Sequence, residues 1–320
     1  MEMVKKSTNE INLSIPKSAH QVDRIEALPG QKKKPASEDP HIVNKLEAIV
    51  ENSSYIPAIE DLSFLKGPNA RGIRLQLDYL KPQVLLKKHG VEQTIVVFGS
   101  TRIVEPIAAQ NKIDELSIAL EKNPDNRNLI QKLAVAKRIQ FNSKYYQVAR
   151  EFADIVAKSG KGPEDSRLVI MTGGGPGIME AANRGATEAK AKNVGLNITL
   201  PTEQFPNPYV TPELCIQFHY FAIRKLHFVL RARALIAFPG GYGTLDELFE
   251  TLTLIQTRKI SPIPVVLVGK RFWQRVIDID FLVEEGVIDC EDRELFWYAD
   301  TADDIWQSIN NWYEQKGEAI

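Results

Sequence analysis

Cysteine is scarce in this sequence, and the little there is supports neither a disulfide framework nor a zinc site. Cys215 and Cys290 are the 2 cysteines in 320 residues, far apart and in no ligand-like spacing. A reduced, cytoplasmic compartment is the expectation. The 5 histidines are scattered and form no HxxxH pair, so no metal is expected. Charge of one sign is also lacking: 40 basic residues face 41 acidic ones, for a net charge of -1. That balance argues against nucleic acid and against a polybasic membrane anchor. An anionic ligand would have to be held by local geometry. No apolar run approaches the roughly 20 residues that span a bilayer. Lys5 and Lys6 are not followed by the apolar stretch of a signal peptide. A soluble protein with no membrane partner is expected.

Two common nucleotide signatures are absent as well. A GxGxxG frame set on Gly173 and Gly175 places Ile178 where the third glycine belongs. The stretch about 20 residues on, Val194 to Ile198, holds no acidic residue for a ribose hydroxyl. Gly269-Lys270 is followed by Arg271, with Pro264 where a P-loop needs its first glycine. NAD and ATP are both disfavoured.

What is present follows α/β grammar. Residues 1–40 are polar, include Lys32-Lys33-Lys34-Pro35 and read as a disordered tail. Residues 41–90 carry helical apolar spacing, with Pro82 as a kink or a helix start, and read as a helical extension. From 91 to 320 short apolar runs alternate with helical stretches. The runs are 94–98, 167–171, 194–198, 234–238 and 264–268, and their continuity suits strands covered on both faces. Helices are predicted around 178–192, 220–231, 244–257, 272–279 and 301–315. This is the pattern of a Rossmann-like, doubly wound parallel sheet. The interval between the first two strands is too long for a simple crossover. Helical patterning over 105–121 and 126–158 points to a helical insert at about 105–160.

Ligands of such sheets sit at the carboxyl ends of the strands, and three glycine-bearing loops lie there. Gly99-Ser100-Thr101-Arg102 offers a turn, two hydroxyls and a guanidinium, although a structural turn explains it equally well. Gly173-Gly174-Gly175-Pro176-Gly177 lets backbone approach a ligand before a helix start, with Glu180 as a further contact. The third loop, Pro239-Gly240-Gly241-Tyr242-Gly243-Thr244-Leu245-Asp246-Glu247, is the sharpest. Its glycines expose backbone donors, Thr244 adds a hydroxyl, and Glu247 lies one turn further in. The competing explanation is a T-x-x-E capping box made by Thr244 and Glu247. Between the second and third loops, Arg224 and Lys225 open a largely apolar helix.

Residues from about 94 to 268 closely resemble the Lonely Guy family of nucleoside 5′-monophosphate phosphoribohydrolases, long mislabelled lysine decarboxylases. The PGGxGTxxE signature falls on Pro239–Glu247, a glycine turn of the form GGGxGxM on Gly173–Met179, and the Arg-Lys pair on Arg224 and Lys225. The form of the second loop is similar to the longer bacterial branch. Phe221 stands where many members carry Met, and no pyridoxal phosphate site is readable. The resemblance implies hydrolysis of an N-glycosidic bond to free base and ribose 5-phosphate, without a cofactor, in a homodimer or larger homo-oligomer. An AMP-like purine nucleotide is the favoured substrate. Carried over, Arg224 and Glu247 are the catalytic pair. Gly240, Gly241, Gly243 and Thr244 hold the phosphate. The alternative on the same fold is a non-catalytic nucleotide sensor, or a carrier of the molybdenum-cofactor type. Retention of both Arg224 and Glu247 speaks for catalysis, since a carrier needs no such carboxylate.

Overall fold

The computed structural model describes Leu28, residues 30–201 and residues 205–320, so most of the expected tail lies outside the described residues. The chain divides into two units, residues 1–67 and 68–320. In the first, helix α1 (Ile42–Val50) and the short α2 (Leu62–Lys66) bury none of their residues. Helix α2 starts at Asp61, whose carboxylate accepts from the Phe64 amide at 2.9 Å.

The second unit opens with α3 (Arg71–Lys88), so the division falls at Gly67–Pro68 and not near residue 90. Pro82 sits inside α3 without ending it. A seven-stranded parallel sheet follows among the described residues. Its strands are β1 (Gln93–Phe98), β2 (Leu168–Thr172), β3 (Asn193–Ile198), β4 (Cys215–Phe218), β5 (Ala232–Ala237), β6 (Val265–Val268) and β7 (Trp297–Ala299). Their order in space is β4-β3-β2-β1-β5-β6-β7. The five predicted runs correspond to β1, β2, β3, β5 and β6. Both outermost strands, β4 and β7, escaped the sequence reading. Strand β4 is interrupted by the exposed Gln217, and β7 is only three residues long, so neither shows a continuous apolar run.

Side chains alternate faces along each strand, and the core follows that period of two. Ile95, Val97, Ile170, Ile236 and Val268 join one buried layer. Val96, Phe98, Val169, Leu235 and Leu267 join the other. Helices α6 (Lys144–Lys158), α7 (Ile178–Glu188) and α12 (Ala302–Gln315) cover the first face. Helices α3, α8 (Phe221–Leu230), α9 (Tyr242–Gln256) and α10 (Lys270–Val276) cover the second. A short α11 (Ile279–Glu284) follows α10. Each fully buried Ile, Leu or Phe contributes about 1.5–3 kcal/mol of transfer free energy, so both layers are strongly fixed.

The long crossover resolves into three helices. Helices α4 (Pro106–Lys122) and α5 (Arg127–Asn142) form an exposed hairpin that buries only Ala109, Leu116 and Ala136. Helix α6 instead buries seven residues, including Tyr146 and Phe152. The insert is therefore the α4–α5 hairpin, and α6 is the sheet's own crossover helix. Among the described residues no helix is long and apolar enough to cross a membrane.

Chain order moves outward from β1 to β4, then returns to the far side of β1 as β5. The winding thus reverses between β1 and β5, whose ends Phe98 and Ala237 are in register. Loops leaving the two strands there diverge and leave a crevice.

Candidate active site

The first and third loops meet in that crevice. The Phe238 amide donates to the Phe98 carbonyl at 2.8 Å, and the Ser100 amide to the Pro239 carbonyl at 2.9 Å. Together they floor a cleft of about 600 Å³, lined by Gly99, Ser100, Arg102, Arg224, Gly240, Gly241, Gly243, Thr244 and Glu247 among others. That volume suits a small-molecule ligand. The hairpin supplies a wall through Val135, Ile139 and Asn142, and Phe272 from α10 extends it.

Helix α9 begins at Tyr242, with Gly241 as its N-cap and no side-chain cap. Thr244 is therefore the third helical residue, and the capping-box explanation does not hold. No acceptor among the described residues takes the amide hydrogens of Tyr242, Gly243 or Thr244. A Cβ at Gly241 or Gly243 would meet nothing within 4 Å, so the space over this backbone is open. Unpaired amides at the positive end of a helix are suited to an anion.

One turn on, Glu247 is 6% exposed. Burial pushes its carboxyl up to about 7, against the opposing pull of Arg224 and Lys225. Its carboxylate makes no hydrogen bond or ion pair among the described residues. Arg224 is fixed firmly: its Nε donates to the Leu196 carbonyl at 2.7 Å, and its guanidinium lies 5.1 Å from the Phe228 ring. Burial lowers its pKa, while Glu247 opposes that shift.

The second loop is placed differently. Gly173, Gly174, Gly175 and Gly177 are buried and do not line the cleft, contrary to the ligand-contact expectation. Asn207 holds the turn, donating from Nδ2 to the Gly175 carbonyl at 3.0 Å and from its amide to the Gly174 carbonyl at 2.8 Å. The first amide of α7, that of Ile178, is taken by the Ser100 carbonyl at 3.1 Å. The glycines act from behind the site. A Cβ at Gly173 would lie 2.6 Å from Arg224 Nη2, so the absent side chain makes room for the guanidinium. Glu180 is also outside the cleft, accepting from the Tyr146 hydroxyl at 2.8 Å. Lys225 pairs with Asp246 at 2.9 Å and Glu250 at 3.0 Å, which ties α8 to α9.

Comparison with known proteins points the same way. The family model described as "Possible lysine decarboxylase" matches residues 179–309. A probable cytokinin riboside 5′-monophosphate phosphoribohydrolase of Oryza sativa subsp. japonica is 30% identical over 140 residues, 43% of this chain and 56% of that protein. The pyrimidine/purine nucleotide 5′-monophosphate nucleosidase of Escherichia coli (strain K12) is 35% identical over 114 residues, 32% of this chain and 25% of that protein. Over the matched segment the chain is similar to the Lonely Guy family. It spans about half or less of the length of these relatives. Among solved structures, the molybdenum cofactor carrier protein of Chlamydomonas reinhardtii aligns at 17% identity and a TM-score of 0.36, over 69% of this chain and 97% of that one.

The Lonely Guy signature is thus the segment that builds the start of α9 and carries Glu247 into the cleft. Sequence reasoning did not find the wall made by Val135, Ile139, Asn142 and Phe272. These side chains sit in ordinary helical stretches, and only tertiary packing brings them to the crevice.

Proposed function

We propose that the chain hydrolyses the N-glycosidic bond of a nucleoside 5′-monophosphate, an AMP-like purine nucleotide foremost, to free base and ribose 5-phosphate. The observation that carries this reading is Glu247: a buried, unpaired carboxyl one turn inside the helix whose open amides face the same cleft. A carrier has no use for such a group. In this reading the Gly241–Thr244 segment and the Thr244 hydroxyl hold the phosphate, with Ser100 and the exposed Arg102 across the crevice. Ionised Glu247 stabilises the positive charge that builds on the ribose and orients a water toward C1′. As the water oxygen bonds to C1′, the C1′–N bond breaks, its electron pair leaves with the base, and the proton lost by the water ends on the base nitrogen. Arg224 steadies the charge developing on that base. The relatives' names, which specify nucleoside monophosphates, support the substrate class.

Exposed apolar side chains beside the site, among them Tyr242, Phe249 and Leu226, support a homodimer or larger homo-oligomer. Mass measurement in solution tests it. The activity is tested by incubating the purified protein with a panel of nucleoside monophosphates and following free base by chromatography. Base release that is lost in Glu247→Gln upholds the proposal. No release, with thermal stabilisation by a nucleotide, would replace it with the sensor or carrier.

A further inference from the structure

Helix α8 carries Arg224 but brings no cap of its own. Its N-cap is Tyr220, whose side chain makes no capping hydrogen bond. The cap arrives from 142 residues away. Asp78, in the middle of α3, accepts through Oδ2 from the Tyr220 amide at 2.8 Å and from the His219 amide at 2.8 Å. A carboxylate at that end also complements the helix dipole. Contacts continue along the helix: Arg74 Nε donates to the Tyr220 hydroxyl at 3.1 Å, and the Tyr79 ring lies 5.4 Å from the His227 ring. Gln83 Oε1 accepts from Arg231 Nη2 just past the end of α8.

We propose that α3 is a positioning element for α8, with Asp78 as the residue that sets Arg224. The linkage is short. The Tyr220 amide is held by Asp78, and the Tyr220 carbonyl accepts the Arg224 amide at 3.1 Å, the first bond of the helix. Any shift of Tyr220 is passed directly to the Arg224 backbone, while the guanidinium stays tethered to Leu196 at its far end. The phosphate-holding start of α9 has no such tie to Asp78. Loss of Asp78 should therefore disturb the reacting end of the substrate and spare the phosphate end. This inference rests on the hydrolase reading for its catalytic part only.

The test uses the full chain with Asp78→Ala and Asp78→Asn, since Asn keeps an acceptor oxygen and ranks with Asp as a cap. Two readouts are taken: steady-state hydrolysis of AMP, and hydrogen exchange of residues 219–225 against 242–248. In Asp78→Ala, kcat is expected to fall roughly 10- to 100-fold, the scale of a misplaced catalytic group, with KM nearly unchanged. Exchange speeds up over 219–225 alone, and Asp78→Asn restores most of both. Unchanged exchange over 219–225, or faster exchange there with kcat intact, overturns the proposal. So does faster exchange across both segments, which marks general destabilisation. If Asp78→Ala does not fold, Asp78→Ser takes its place, its hydroxyl being too short to reach both amides. If the wild type releases no base from any nucleotide, the hydrolase reading fails by itself. The exchange pattern then still decides whether Asp78 holds α8.

Discussion

Replacing Glu247 by Gln removes a charge that the fold itself opposes, and the consequence for stability can be worked out. Burial raises this carboxyl from the ordinary 4.5 to about 7 in the folded chain. Between those values the folded protein keeps a proton on Glu247 that the unfolded chain has released. Stability therefore declines as pH rises through this window, by about 1.4 kcal/mol per pH unit. Across the window the loss reaches roughly 3 kcal/mol, and it is complete above about pH 7. Neutral Gln has the same shape and no charge to desolvate. Relative to wild type, Glu247→Gln should be close to neutral at pH 4.5 and more stable by up to about 3 kcal/mol at pH 8. Urea unfolding of both proteins at intervals from pH 4.5 to 8 measures this directly. The same variant should have lost turnover, so stability and activity move in opposite directions. Parallel stability curves for the two proteins across that range would refute the reasoning, because they would mean that Glu247 ionises in the fold as freely as in water.

Other perturbations separate the parts of the site. For the wild type, kcat/KM should rise with pH through an apparent pKa near 7 as Glu247 ionises; a profile flat from pH 5 to 8 would remove it as the essential base. Thr244→Ala should raise KM about tenfold or more with little change in kcat, since it removes a hydrogen bond to a charged phosphate present in ground and transition states alike. Gly173→Ala should lower kcat more than it raises KM, because the new methyl would stand 2.6 Å from Arg224 Nη2; equal effects on both parameters would place Gly173 in ligand binding instead. Trp273→Phe should cost about 1–3 kcal/mol in urea unfolding. It removes the indole N–H that donates to the Ala237 carbonyl at 3.1 Å and the Val268 carbonyl at 3.0 Å, leaving two buried acceptors short of a donor.

The sequence made the central strands and the third loop legible for local reasons. Strands such as Ile95–Phe98 are apolar on both faces, and a glycine-rich turn between a strand and a helix needs no distant partner to be recognised. Glu247 was legible because the same signature carries it one helical turn beyond the glycines. What escaped depends on tertiary placement. Strand β7 is three residues long and pairs only where its neighbour β6 already lies. Helices α5 and α6 have similar helical patterning, yet only α6 is buried against the sheet. The place of Gly173 behind Arg224 was not legible, because a glycine needed for ligand approach and one needed to admit a guanidinium look identical in sequence. Asp78 carries no local signal, since its partners are 141 and 142 residues away.

The helix starts of this chain divide into those with a side-chain cap and those without. Helices α2, α5, α11 and α12 begin with Asp61, Asn126, Asp278 and Thr301, and each of these side chains accepts a first-turn amide. Such caps are worth about 1 kcal/mol apiece. Helix α9, like α1, α3, α4, α6, α7, α8 and α10, has none. Gly241 stands at its N-cap, and the hydroxyl of Thr244 comes three positions too late to serve. One turn further on, Glu247 is buried unpaired, with its ionisation opposed by its surroundings. A Gln at 247 would keep the side chain's shape and remove the cost of burying a charge at neutral pH. The open amides at the start of α9 and the buried, unpaired carboxyl one turn beyond them are the two features that the proposed ligand site requires. An anion carrying an electron-poor carbon about one helical turn from its charge fits that spacing, and a ribose 5-phosphate unit is such an anion.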